Sequence, residues 1–85
     1  MKLRPTPDFT EQYEKLTPSI QKRTDEKLQL LLIDPHHPSL QIKKMRGFEG
    51  IWEGRVSRNS RFTFQIEGDT YILRKVGKHE ILRKP

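Results

Sequence analysis

The chain contains no cysteine. That excludes a disulfide framework, a thiolate metal site and a thiol nucleophile. Apolar residues are scarce, at 32% of 85 positions. No apolar run approaches the ~20 residues of a membrane span. The N-terminus carries no apolar stretch of signal-peptide type, so a cytoplasmic protein without a membrane partner is expected. A chain of this length folds as one domain, residues 1–85, and buries about 60–65% of its unfolded surface. Low hydrophobicity alone would suit a disordered chain. Two helical patterns and three strand-like runs argue against that.

Acidic residues are in short supply in one half only. Residues 1–39 hold six basic and six acidic side chains, whereas residues 40–85 hold eleven and five. The whole formal charge of +6 therefore falls in the second half. A basic half on a neutral half suggests a polyanionic partner, with the first half as scaffold.

Five of the six prolines punctuate the first half. Thr6-Pro7 and Thr17-Pro18 are two helix starts: the hydroxyl accepts a free backbone N–H, and proline lacks the one that would go unpaired. They predict helices over Pro7–Lys15 and Pro18–Ile33. Phe9, Tyr13 and Leu16 share a face of the first; Ile20, Leu28, Leu31 and Leu32, thickened by Leu30 and Ile33, form the stripe of the second. Asp34-Pro35 ends it. The tight link at Thr17 makes the pair an antiparallel hairpin. Met1–Arg4 is an extended start that suits an edge strand.

The second half changes period. Leu40–Met45 is a strand or an extended arm. Ile51–Ser57 places Trp52 and Val56 on one face and Glu53 and Arg55 on the other. In Arg61–Glu67, Phe62, Phe64 and Ile66 alternate with Arg61, Thr63 and Gln65. Glu67-Gly68-Asp69 is a hairpin turn to Tyr71–Val76, and His79–Pro85 is a tail. The expected fold is α+β, with the helical hairpin on one face of a twisted antiparallel sheet of three to four strands. Phe62, Phe64, Ile66, Trp52 and Val56 form the covered face. Arg55, Arg61 and Thr63 stand on the open one, where a phosphate backbone could lie.

This order of elements resembles the RelE/ParE superfamily of toxin–antitoxin toxins. The resemblance is carried by His37-Pro38-Ser39-Leu40 before the sheet, by Gly50-Ile51-Trp52-Glu53-Gly54-Arg55-Val56, by Arg61-Phe62-Thr63-Phe64, and by the closing Val76-Gly77-Lys78-His79-Glu80. It implies a ribosome-dependent endoribonuclease that cuts mRNA in the 30S decoding site, because the closing residues resemble the RelE-, YafQ- and YoeB-like branches. The alternatives it leaves are a ParE-like, non-enzymatic inhibitor of DNA gyrase and a catalytically weak RNA- or antitoxin-binding module. It also implies a cognate acidic antitoxin whose C-terminal segment wraps the toxin, in a possible heterotetramer. The chain departs from the family pattern at Ile51 and Glu53, where relatives place lysines, and has no aromatic residue after His79.

Cleavage by the 2′-hydroxyl needs a base, a cation on the phosphate and an acid for the leaving oxygen, without a metal or other cofactor. Arginine suits the cation role because its planar fork binds two phosphate oxygens and stays charged. Arg61 and Arg55 are the candidates. The resemblance makes His79 the acid or a phosphate contact, and its neutral-range pKa suits proton transfer. Glu53 is a candidate base, although such a glutamate more often pairs with a neighbouring arginine. His37 resembles a catalytic histidine of the YafQ-like branch. Adjacent His36 and His37 point apart and lack a carboxylate at ligand spacing, so no metal site is expected. Lys43, Lys44, Arg46, Arg58, Lys75, Lys78 and Arg83 are candidate phosphate contacts, sequence-independent and salt-sensitive.

Overall fold

A computed structural model describes all 85 residues. The chain forms β1 (Lys2–Pro5), α1 (Pro7–Glu14), α2 (Pro18–Ile33), β2 (Lys43–Lys44), β3 (Trp52–Arg55), β4 (Ser60–Glu67) and β5 (Thr70–Lys78). A 3₁₀ turn, Pro38–Leu40, precedes β2, and a 3₁₀ helix, His79–Arg83, follows β5. Both Thr-Pro starts behave as expected. Thr6 Oγ1 accepts from Phe9 N at 3.2 Å and Thr17 Oγ1 from Ile20 N at 3.4 Å.

The sheet has five strands in the order β1-β5-β4-β3-β2. The expectation of three to four antiparallel strands is corrected in number and in sense. The extended start does form an edge strand, but it runs parallel to β5, with Lys2 opposite Thr70 and Pro5 opposite Leu73. The residues that pair lie at opposite ends of the chain, so no local pattern marks them. The other pairings are antiparallel.

One sheet face carries Val56, Phe62, Phe64, Tyr71, Leu73 and Val76, packed against Phe9, Leu28, Leu31 and Leu40. Phe62 stacks on Phe64 with centroids 5.7 Å apart, and Phe64 meets Tyr71 edge-on at 5.4 Å. Trp52 is half-buried beside this core. Ile66 lies on this face as expected but is 48% exposed, because it lines an open cavity with Leu31, Pro35 and Trp52.

Tyr13 and Gln21 join the two helices. The Tyr13 hydroxyl donates to Asp25 Oδ1 at 2.7 Å, and Gln21 Nε2 donates to the Tyr13 carbonyl at 2.9 Å. The bond to Asp25, aided by desolvation and the carboxylate charge, raises the Tyr13 phenol above its usual pKa. The folded state thus holds this proton more tightly than the unfolded one. The contribution is full below the unfolded pKa of about 10 and is lost as pH rises through the folded value. Tyr13→Phe is expected to cost about 1 kcal/mol or less at neutral pH. Urea denaturation at neutral and at strongly alkaline pH should show the gap between variant and parent shrinking.

The opposite sheet face is only partly open. Thr63 is fully buried there and its hydroxyl donates to the main-chain oxygen of Pro85 at 3.0 Å. Arg74 Nε donates to the same oxygen at 3.1 Å. Arg74 is available because the β4–β5 register jumps from Thr63–Lys75 to Phe64–Leu73, leaving it as the extra residue of a bulge. The presumed tail is therefore a structured segment that covers the middle of this face, with Ile81 buried in it.

Candidate functional site

Antiparallel register brings three positions into a row at one end of the sheet. Arg55 on β3 faces Arg61 on β4, which faces Gly77 on β5. Both arginines are half-buried. Like charges directly opposite each other destabilise a sheet, so this pairing works against stability unless an anion lies between them.

Arg61 is anchored at one end of its fork. Its Nη1 donates to the carbonyls of Ser57 at 2.7 Å, Ser60 at 2.9 Å and Arg58 at 3.3 Å, which closes the β3–β4 loop. The other guanidinium hydrogens have no partner in the chain. A half-anchored arginine is a preorganised anion donor, since the anchored edge fixes where the free edge points.

Gly77 lets the C-terminal helix sit against this row. A Cβ there would lie 3.0 Å from Ile81 Cγ2. His79 opens that helix, exposed, one residue beyond Lys78, which pairs with Ser60. His79 therefore emerges at the same end of the sheet as Arg55 and Arg61.

Glu53 and His37 are placed differently. Glu53 shares its sheet face with Arg55 but is only 6% exposed, and Lys43 Nζ lies 3.0 Å from its carboxylate. His37 caps the Pro38–Leu40 turn: its Nδ1 accepts from Ser39 N at 3.1 Å and lies 2.8 Å from Ser39 Oγ. It lines a largely apolar cavity of about 520 Å³ with Trp52, Phe64, Ile66 and Tyr71, on the helix side of the sheet. Neither Arg61 nor His79 lines that cavity.

The expected phosphate contacts divide in two. Lys43 is held by Glu53, and Lys75 by Asp8 at 3.1 Å. Lys44, Arg46, Arg58, Lys78 and Arg83 are exposed and outside any ion pair. Nowhere do three His, Asp or Glu side chains converge as a metal ion would require. The first half, neutral in sum, also brings cations here: Arg23 and Lys27 of α2 line a pocket together with Arg55. Their four-residue spacing on one helix face was the available signal. A net charge of zero concealed it.

No protein-family model matches this sequence, and no curated protein sequence does. Solved structures match its fold. A chain of the RelB–RelE antitoxin–toxin complex from Methanococcus jannaschii superposes with a TM-score of 0.76 at 21% identity, over 94% of both chains. The YoeB/ParE toxin from Agrobacterium tumefaciens gives 0.80 at 18% identity, over 93% of this chain and 99% of that one. A chain of the E. coli DinJ–YafQ complex gives 0.70 at 12% identity, over 95% and 96%. The fold is thus that of the RelE-like toxins.

Proposed function

We propose that this chain is the toxin of a toxin–antitoxin pair and that it cleaves mRNA on the ribosome. The observation that carries the reading is the Arg55–Arg61 pair, in direct cross-strand register with no acidic partner, at the end of the sheet where His79 emerges. The RelE-like fold supports it, since its structural neighbours include antitoxin–toxin complexes.

The reaction is transfer of phosphorus from O5′ to O2′. A base takes the 2′-hydroxyl proton, and the 2′-oxygen attacks the neighbouring phosphorus. The P–O5′ bond breaks, His79 supplies the proton to O5′, and the products are a 2′,3′-cyclic phosphate and a 5′-hydroxyl. Arg61 and Arg55 hold the phosphate oxygens as negative charge builds on them. Of the two candidate bases, Glu53 shares strand and face with Arg55, and to act it must leave Lys43 and its buried setting. His37 stands across the sheet and braces the turn before β2.

The remaining cations contact RNA phosphates. Lys44, Arg46 and Arg58 flank β3, while Lys78 and Arg83 flank His79. An acidic antitoxin neutralises the same surface in the cytoplasm. No helix is long and apolar enough to cross a membrane.

Purified protein added to ribosomes translating a defined mRNA should cut it, with fragments ending in a cyclic phosphate. His79→Ala should slow the cut by about 10²-fold or more. Intact mRNA together with DNA damage in induced cells would replace this reading with inhibition of gyrase. Intact mRNA with no growth arrest would leave a binding module.

A further inference from the structure

A basic pocket lies between α2 and the β3–β4 loop. Arg23 and Lys27 of α2, Arg55 at the end of β3, Arg58 in the loop, and Ser39 and Ser57 line its volume of about 270 Å³. No carboxylate lines it, and none of the four cations is ion-paired.

Left empty, this arrangement is unfavourable twice over. Arg23 and Lys27 are like charges four apart on one helix face, a spacing that destabilises a helix. Arg55 also faces Arg61 across the strand pair. An anion in the pocket removes much of that repulsion. The rim is also held in place. Arg61 Nη1 bonds the Ser57 and Arg58 carbonyls, and the His37 ring holds Ser39. Three guanidinium forks and two hydroxyls offer paired donors for the two free oxygens of a phosphodiester.

We infer that this pocket binds a backbone phosphate of single-stranded RNA, next to the phosphate held at Arg61. The inference rests on the RNA part of the proposed function and adds to it a second phosphate subsite built partly from α2. Arg55 joins the two places, because it lines the pocket and faces Arg61. A strand crossing Arg61 therefore delivers its neighbouring phosphate to the pocket. An acidic peptide would also be attracted to four cations. The continuity with Arg61 favours the phosphate.

The test is binding of a short, labelled, 2′-O-methylated oligoribonucleotide, which cannot be cleaved, across a salt series. The double variant Arg23→Gln, Lys27→Gln should bind roughly tenfold more weakly at low salt. The slope of log affinity against log salt should fall by about 0.7–1.4, the value for one or two lost single-strand phosphate contacts. The charge-matched control Arg4→Gln, Lys22→Gln should stay close to the parent, since neither residue lines the pocket. If both double variants weaken binding equally, the pocket is overturned and the RNA reading stands. If the parent does not bind the oligoribonucleotide, the pocket is overturned, and the ribosome assay decides the RNA reading separately. Binding of inorganic phosphate or polyglutamate that depends on Arg23 and Lys27, with RNA binding unaffected by them, overturns the assignment to RNA.

Discussion

Arg61→Ala should reduce mRNA cleavage by about 10²–10³-fold, the usual cost of removing one preorganised donor from a site of developing charge. The side chain has one job in the structure and a second in the proposed reaction. Its Nη1 closes the β3–β4 loop on three carbonyls, and its remaining N–H groups are free to hold a phosphate. Loss of the first should cost stability of about 1 kcal/mol, or roughly 4–8 °C in Tm for a domain of this size. Loss of the second should abolish most of the activity at temperatures where the variant is fully folded. Arg61→Lys sharpens the assignment. It keeps the charge but cannot hold the loop and a phosphate at once, so it should remain well below the parent. Single-turnover cleavage on programmed ribosomes, with Tm measured on the same samples, reads both effects. Cleavage within a few-fold of the parent in folded Arg61→Ala would remove Arg61 from the reacting phosphate.

Gly54→Ala should destabilise the protein by about 3 kcal/mol, at the upper end for one inserted methyl group. Gly54 is buried on β3, directly opposite Phe62. A Cβ there would lie 2.4 Å from Phe62 Cζ and 2.5 Å from Cε1, with Ile42 Cδ1 at 2.8 Å. The ring has little room to retreat, because Phe62 is fully buried and stacked on Phe64. For a domain of this size the loss corresponds to a fall in Tm of roughly 12–24 °C, readable by calorimetry. Phe62→Leu in the Gly54→Ala background should recover part of the loss, and the double-mutant cycle should show coupling above about 0.5 kcal/mol. A fall of only a few degrees would mean that the sheet shifts to admit the methyl. The Arg55–Arg61 register one step along would then be softer than it looks.

Gly54 also shows how the sequence can be misread. In the strand pattern it looks like a neutral gap between Glu53 and Arg55. Its role becomes visible only when Phe62 is known to lie across from it. Glu53 behaves in the same way. The pattern placed it correctly on the face of Arg55, but it is buried and its partner Lys43 comes from β2, which no spacing announces. Arg23 and Lys27 were hidden by an average, because six acidic residues elsewhere in residues 1–39 cancel them in the count.

By itself the sequence determined whatever depends on near neighbours. Thr6-Pro7 and Thr17-Pro18 set the helix starts because a cap acts over three residues. Phe62 and Phe64 against Arg61 and Thr63 set the inward and outward faces of β4 because side chains alternate along a strand. The same alternation put Arg55 and Arg61 on one face of the sheet, and the resemblance added His79 as a third candidate. Tertiary structure alone decided what depends on pairing across the chain. Pairing of β1 with β5 made the sheet mixed, and Pro85 closed over Thr63. Register set Arg55 against Arg61, and the packing of α2 brought two more cations beside them. Such pairings follow from which distant surfaces bury together, and the free energy of that choice is shared among residues that no short window contains.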